Sequence, residues 1–229
     1  MTARVAVVVF PGTNCEHDVV GALAGLGGDA ELVWHGQRSL AGYDAVVLPG
    51  GFAHGDYLRP GAIARFSPVM EAVARFAAAG GPVVGICNGF QVLTEAGLLP
   101  GALQKNAGLR FVCTTTGIEV CTTRTPLTAH SAVGDVLRLP INHFEGNYTC
   151  DGATLARLRA EDRIVFRYTD NPNGSVDDIA GVCNEQGNVV GLMPHPERAC
   201  DPLLGSTDGA VLLGSLLGVA DTRSRAVPA

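Results

Sequence analysis

The chain has 229 residues, enough for one α/β domain with a buried core or at most two small domains. Its net charge of −6, with Lys and Arg scattered, argues against a nucleic-acid-binding surface. Hydrophobic residues make up 47%, yet no apolar run approaches a membrane span, and seven cysteines without a Cys-x-x-Cys pair indicate neither a disulfide framework nor a zinc ribbon. The first four residues lead straight into an apolar run, with no secretory leader pattern, so a reducing, cytoplasmic setting is expected.

Residues 5–10 are a continuous apolar run, as in a strand buried on both faces. Pro11-Gly12-Thr13-Asn14 is a turn, and a helix is predicted over residues 16–25. Strands are predicted at residues 31–34 and 44–48, the latter ending at Pro49-Gly50-Gly51. Ser67 is the expected N-cap of a helix to about Ala79, ended by Gly80-Gly81-Pro82. Another strand follows at once, running into Cys87. Strands and helices alternating through short glycine-rich connections imply a doubly wound, mostly parallel sheet. In such sheets ligands sit at the carboxyl ends of the strands, where Gly50-Gly51 and Cys87 both fall.

The second half changes character. Residues 111–125, 136–141, 163–168 and 178–190 read as strands, with a polar hairpin turn at Glu185-Gln186-Gly187-Asn188. These are expected to be mostly antiparallel additions to the parallel sheet, before a final helix over about residues 207–217. Residues 1–229 are read as one α/β domain, with 220–229 a polar, frayed tail.

Gly85-Ile86-Cys87-Asn88-Gly89 is the most informative stretch. A glycine-flanked cysteine between a strand and a helix has the pattern of a nucleophile elbow. The helix start points free N–H groups at the thiol and favours its reactive thiolate form. Core packing alone requires no glycine on both sides of a cysteine. A base must accompany such a nucleophile, and the base needs an orienting group. Met193-Pro194-His195-Pro196-Glu197 follows an apolar run, so His195 also falls at a strand end. In an extended segment, Glu197 lies on the same face as His195 and can fix its tautomer. Gly51 N–H and Asn88 N–H are the expected donors to a tetrahedral oxyanion.

Together, Pro49-Gly50-Gly51, Gly85-Ile86-Cys87-Asn88-Gly89-Phe90-Gln91 and His195-Pro196-Glu197 resemble the class I, triad-type glutamine amidotransferases. The run from Gly50 through His54, Gly55, Asp56, Tyr57, Leu58, Arg59 and Pro60 to Ala64 is similar to a loop of the glutaminase subunits of phosphoribosylformylglycinamidine synthase. Pro11 to Glu16, Asn173-Gly174-Ser175 and Met193 to Arg198 match further signatures of that group. One departure is His143-Phe144-Glu145-Gly146, where the family usually carries His-Gly-Glu-Gly; Pro60 is a milder one.

The resemblance implies a Cys87-His195-Glu197 triad that hydrolyses L-glutamine to glutamate and ammonia. It also implies substrate contacts at Gly50, Gln91 and His143, and docking of a partner at Asp56, Tyr57 and Arg59. The implied partners are a large ATP-dependent synthetase subunit, which converts formylglycinamide ribonucleotide to the amidine in purine biosynthesis, and a small accessory subunit. No phosphate-binding loop or magnesium-binding carboxylate cluster is seen in this chain, so no cofactor or metal is expected here. ATP and magnesium fall to the partner. The alternatives are a class I glutaminase serving another acceptor, a cysteine hydrolase on the same fold, or a non-catalytic binding subunit. Cys15, at a strand end, could edge the pocket, although packing is its expected role.

Overall fold

Short valine-rich runs form the centre of the molecule. The computed structural model describes residues 2–226. In chain order the elements are β1 (Arg4–Val9), α1 (Glu16–Gly25), β2 (Asp29–Trp34), β3 (Ala45–Leu48), α2 (Pro68–Ala78), β4 (Val83–Ile86), α3 (Asn88–Glu95), β5 (Ala102–Gln104), β6 (Val112–Val120), β7 (Val136–His143), β8 (Asn147–Thr149), α4 (Gly152–Ala160), β9 (Ile164–Tyr168), β10 (Ile179–Cys183), β11 (Val189–Leu192) and α5 (Asp208–Ala226). Every residue of β3, β4 and β11 is buried, as expected where both faces of a parallel sheet are covered.

The main sheet has nine strands in the order β2-β1-β3-β4-β11-β10-β9-β6-β7, and β5 pairs with β8 in a separate ribbon. The first five strands are mutually parallel, and the remaining pairings are antiparallel. The chain leaves β1 for β2 on one side and for β3 on the other, which creates a switch point beside β1. The doubly wound expectation holds, with one refinement. The late strand β11 is not simply an antiparallel addition. It runs parallel to β4, register Gly191 to Gly85, and antiparallel to β10. The loop after β11 therefore emerges at the same edge as the loop after β4.

Three local expectations are corrected. The expected tail is helical as far as described: α5 continues to Ala226, and 227–229 lie outside the described residues. The extension is held by packing that the polar sequence does not advertise. Ala220 is buried, Arg223 stacks its guanidinium 4.9 Å from the Phe76 ring centre, and Arg225 pairs with Asp221 one turn earlier at 2.6 Å. Ser67 stands at the N-cap of α2, but its hydroxyl meets His35 Nδ1 at 3.1 Å instead of capping the helix. Helix α4 adds an element where the sequence pattern gives no helix, and Asp151 caps it by accepting from Thr154 N–H at 2.7 Å.

The turn between β4 and α3 is built on close backbone approach. Cys87 has φ 51°, ψ −106°, a conformation that costs a non-glycine residue on the order of 1–3 kcal/mol. A Cβ on Gly89 would overlap the carbonyl of Leu48 in β3, so α3 can cross the sheet this closely only with glycine there. Gly89→Ala is therefore expected to destabilise the fold by at least about 3 kcal/mol, read as a large fall in Tm or as loss of soluble protein. Gly21→Ala, in α1 where a Cβ meets nothing within 4 Å, is the matched control, expected to gain about 0.5–1 kcal/mol. Equal Tm values for the two variants would contradict the packing described.

Candidate active site

The loops after β1, β3, β4 and β11 converge at the carboxyl edge of the parallel strands. Cys87 is placed there by the strained elbow, and its backbone N–H donates to Leu192 O at 2.8 Å, tying β4's end to β11's end. His195 follows β11, and its N–H donates to Pro140 O of β7 at 2.8 Å. Gly50 lies between the two. A Cβ at Gly50 would come within 2.7 Å of His195 Cε1, 3.1 Å of Cys15 Sγ and 3.5 Å of Cys87 Cβ. The absence of that Cβ is what lets the imidazole and the thiols gather in one place.

His195 is only 1% exposed. Its Nδ1 meets Glu197 Oε1 at 2.6 Å, and Glu197 is itself buried. From the sequence, the pair is expected on an extended segment. The structure instead has a single 3-10 turn over Pro196–Arg198, begun by the proline and closed by Ala199 N–H on Pro196 O at 3.0 Å. The turn brings the carboxylate back onto the ring all the same. Burial opposes the charge on His195, but Glu197 and the Cys87 thiol outweigh it, and the imidazole pKa lies well above its ordinary value. His195 Nε2 is buried without a hydrogen-bond partner, on the ring edge opposite Glu197. The arrangement is a base with a fixed tautomer, an orienting carboxylate and a thiol beside it.

Cys87 and His195 open into a cleft of about 280 Å³, lined also by Asn14, Cys15, Gly51, Phe52, Asp56, Pro60, Gln91, Asn142, His143, Phe144, Glu145 and Arg198. A larger hollow of about 410 Å³ near α4 contains no cysteine or histidine in its walls and holds no comparable nucleophile and base. Gly51 bridges to Thr13, but the bridge's hydrogen bonds use Asn14 N–H on Gly50 O (3.4 Å) and Phe52 N–H on Gly12 O (2.9 Å). Gly51 N–H takes no part in either. Asn88 N–H lies in the first turn of α3, where no intrahelical acceptor exists. Gln91 reaches the cleft as the helical offset implied. Its Oε1 accepts from Asn88 Nδ2 at 2.9 Å, and its Nε2 donates to Glu145 O at 2.5 Å. Gly50 is not among the cleft-lining residues; it lies against His195, Cys15 and Cys87.

The family-like loop is split in its roles. Asp56 points inward, accepting from Asn88 Nδ2 at 3.1 Å. Tyr57 and Leu58 are exposed. Arg59 clamps Glu95 of α3 with two bonds of 2.5 and 2.7 Å, which fixes the loop to the helix after the elbow. Phe144 takes an ordinary backbone conformation, its ring half-exposed under Lys105 Nζ at 5.9 Å. Cys15 is buried and also edges the cleft, the alternative its strand-end position left open. It packs against His195 and accepts from Arg198 Nη2 at 3.2 Å, a position set by the loop after β1 that no local motif reveals.

Among the described residues, Cys15, His195 and Glu197 offer one sulfur, one nitrogen and one oxygen within 4.8 Å of one another, a donor set that could face a metal ion. The short bond between Nδ1 and Glu197 engages two of these groups with each other. That leaves fewer than the three protein ligands a catalytic zinc site uses, unless the Cys87 thiol joins them.

Comparison with known proteins agrees with this geometry. Residues 2–208 match the family model of the CobB/CobQ-like glutamine amidotransferase domain. A phosphoribosylformylglycinamidine synthase subunit PurQ from Rubrobacter xylanophilus is 60% identical over 217 residues, covering 95% of this chain and 99% of the relative. The subunit PurQ from Koribacter versatilis is 53% identical over 232 residues, covering 96% and 100%. Among solved structures, PurLQS from Thermotoga maritima superposes with a TM-score of 0.88 at 42% identity, over 95% of this chain and 99% of that one. This chain belongs to the CobB/CobQ-like glutamine amidotransferase family and, within it, to the PurQ subunits of phosphoribosylformylglycinamidine synthase.

Proposed function

We propose that this chain hydrolyses L-glutamine to glutamate and ammonia and passes the ammonia to an ATP-dependent synthetase subunit. That subunit converts formylglycinamide ribonucleotide to the amidine, assisted by a small accessory subunit. The observation that carries this reading is the meeting of His195, oriented by Glu197 at 2.6 Å, with Cys87 at the elbow, inside one cleft.

In the reaction, Cys87 attacks the side-chain amide carbon as the thiolate, its proton already resting on the charged His195 Nε2. Gly51 and Asn88 N–H groups receive the charge that develops on the carbonyl oxygen. The tetrahedral species collapses, and His195 gives its proton to the departing ammonia. Water then loses a proton to the same Nε2 and cleaves the glutamyl thioester, restoring the thiol and releasing glutamate. Glu197 holds the ring in the tautomer that leaves Nε2 facing the sulfur. Ammonia that escapes into neutral water becomes ammonium, which is not a nucleophile, so direct hand-over to a partner is physically sensible.

The surface supports a docked partner. Phe52 and Phe144 line the cleft and are exposed at its mouth, and Tyr57 and Leu58, 74% and 91% exposed, project beside them. Exposed apolar groups gathered around a functional opening mark an interaction surface. The sequence carries no phosphate-binding loop, so ATP and magnesium are assigned to the synthetase. A thiol nucleophile among seven free cysteines suits the reducing cytoplasm. A non-catalytic role on the same fold is disfavoured, because a binding subunit needs neither a strained cysteine nor a buried histidine–carboxylate pair.

Glutamate release from glutamine is expected to rise when the cognate synthetase is added and to fall by on the order of 10⁴-fold in Cys87→Ala. Equal rates with and without the synthetase would remove the coupling, and activity kept by Cys87→Ala would remove the nucleophile assignment. Glu197→Gln is expected to lower kcat by about 10²- to 10⁴-fold with KM little changed. A change in kcat below about threefold would show that the carboxylate does not orient the base.

A further inference from the structure

One end of the cleft is lined by hydrogen-bond acceptors with unused capacity. Asn106 Oδ1 accepts from Gly146 N–H at 3.1 Å, which identifies it as the amide oxygen. His143 Nδ1, 3.1 Å from the same oxygen, must therefore carry the ring proton. His143 Nε2 is then a lone pair. It is buried, lines the cleft and has no partner. Burial, aided by His195, pushes the His143 pKa down to about 4, so the ring stays neutral at working pH.

Asp56 is the second such group. It faces the cleft with one hydrogen bond, from Asn88 Nδ2, and among the described residues no Lys, Arg or His forms an ion pair with it. Burial, followed by the nearby Glu145 charge and only partly offset by Asn88, pushes its carboxyl up to about 6. The loop holds it there against backbone preference. His54, Asp56 and Leu58 have φ of 54°, 53° and 71°, three left-handed non-glycine residues in five, each costing on the order of 1–2 kcal/mol. Strain of this kind persists where the surroundings impose it, often at ligand-binding positions. The Asn88 side chain that holds Asp56 belongs to the residue next to Cys87. The carboxylate and the nucleophile line the same cleft.

We infer that Asp56 is the anchor for the α-ammonium group of the substrate amino acid, with Gln91 Oε1 and Glu145 beside it, in a cleft whose acceptors select a ligand rich in donors. The inference rests on the glutaminase reading and assigns the end of the substrate remote from the reaction. An amino acid's ammonium supplies both the charge and the three donors that these groups lack.

The test uses the complex with the synthetase and two substrates: L-glutamine and its deamino analogue, 5-amino-5-oxopentanoate. The wild type is expected to show a KM about 10- to 100-fold higher for the analogue, the range given by losing one charge-assisted hydrogen bond. Asp56→Asn is expected to raise the glutamine KM by a similar factor, lower kcat by less than about threefold, and leave the two substrates nearly equal. Similar KM values for both substrates on the unaltered wild type would overturn the inference without recourse to any variant. An Asp56→Asn complex that still discriminates as the wild type does, with any loss confined to kcat, would overturn it too and leave Asp56 as a support for Asn88. A wild type that hydrolyses neither substrate would overturn the glutaminase reading itself.

Discussion

The meeting of the Cys87 thiol and the His195 imidazole in one cleft depends on backbone without side chains between them. Gly50 leaves room for the ring and the sulfur, since its missing Cβ would stand 2.7 Å from the imidazole. Gly89 lets α3 lie against β3, which aims the helix start at the nucleophile. The pairing of β11 beside β4 then delivers His195 to the edge where Cys87 already stands. If any of these approaches opened by an ångström, a base and a nucleophile from distant parts of the chain would lose the alignment that proton transfer requires.

The electrostatics follow from the same burial. A carboxylate, an imidazole and a thiol are taken out of water together, and each is tolerable only because its neighbour carries the complementary charge. Glu197 and Cys87 outweigh the desolvation of His195 and keep its proton available for the leaving ammonia. A few ångströms away the balance is reversed. His143 Nε2 is held without a donor and Asp56 with only the Asn88 amide, so that side of the cleft is incomplete until a ligand arrives. The protein thus settles its catalytic charges internally and leaves its recognition charges open, which binds substrate without disturbing the reacting groups.

Much of this was legible in the sequence because strand, turn and glycine patterns are local. The buried strands ending at Gly50, Cys87 and the loop before His195 could be placed from runs of valine and from glycine punctuation. The elbow was legible because the glycines flanking Cys87 have no packing purpose of their own. What escaped depends on tertiary proximity. Cys15 reaches His195 only because β1 and β3 are neighbours, and α5 persists past Leu217 only because Phe76 and other residues far back in the chain receive it. Asp56 reads in sequence as a polar loop residue suited to docking. Its inward turn is set by the left-handed backbone at three positions and by Asn88, neither of which has a one-dimensional signature. The His195–Glu197 pair was found despite an incorrect local conformation, since both an extended segment and a 3-10 turn bring those two side chains together.

The central claim is that the sulfur served by His195 is Cys87, although Cys15 lies against the same ring. It is tested most directly by acid-quenching the chain during glutamine turnover and locating the glutamyl thioester by peptide mass spectrometry. The account expects the acyl group on the peptide carrying Cys87, and its absence when His195 is replaced by Ala. An acyl group found on Cys15 instead, or no thioester during demonstrable turnover, would contradict it.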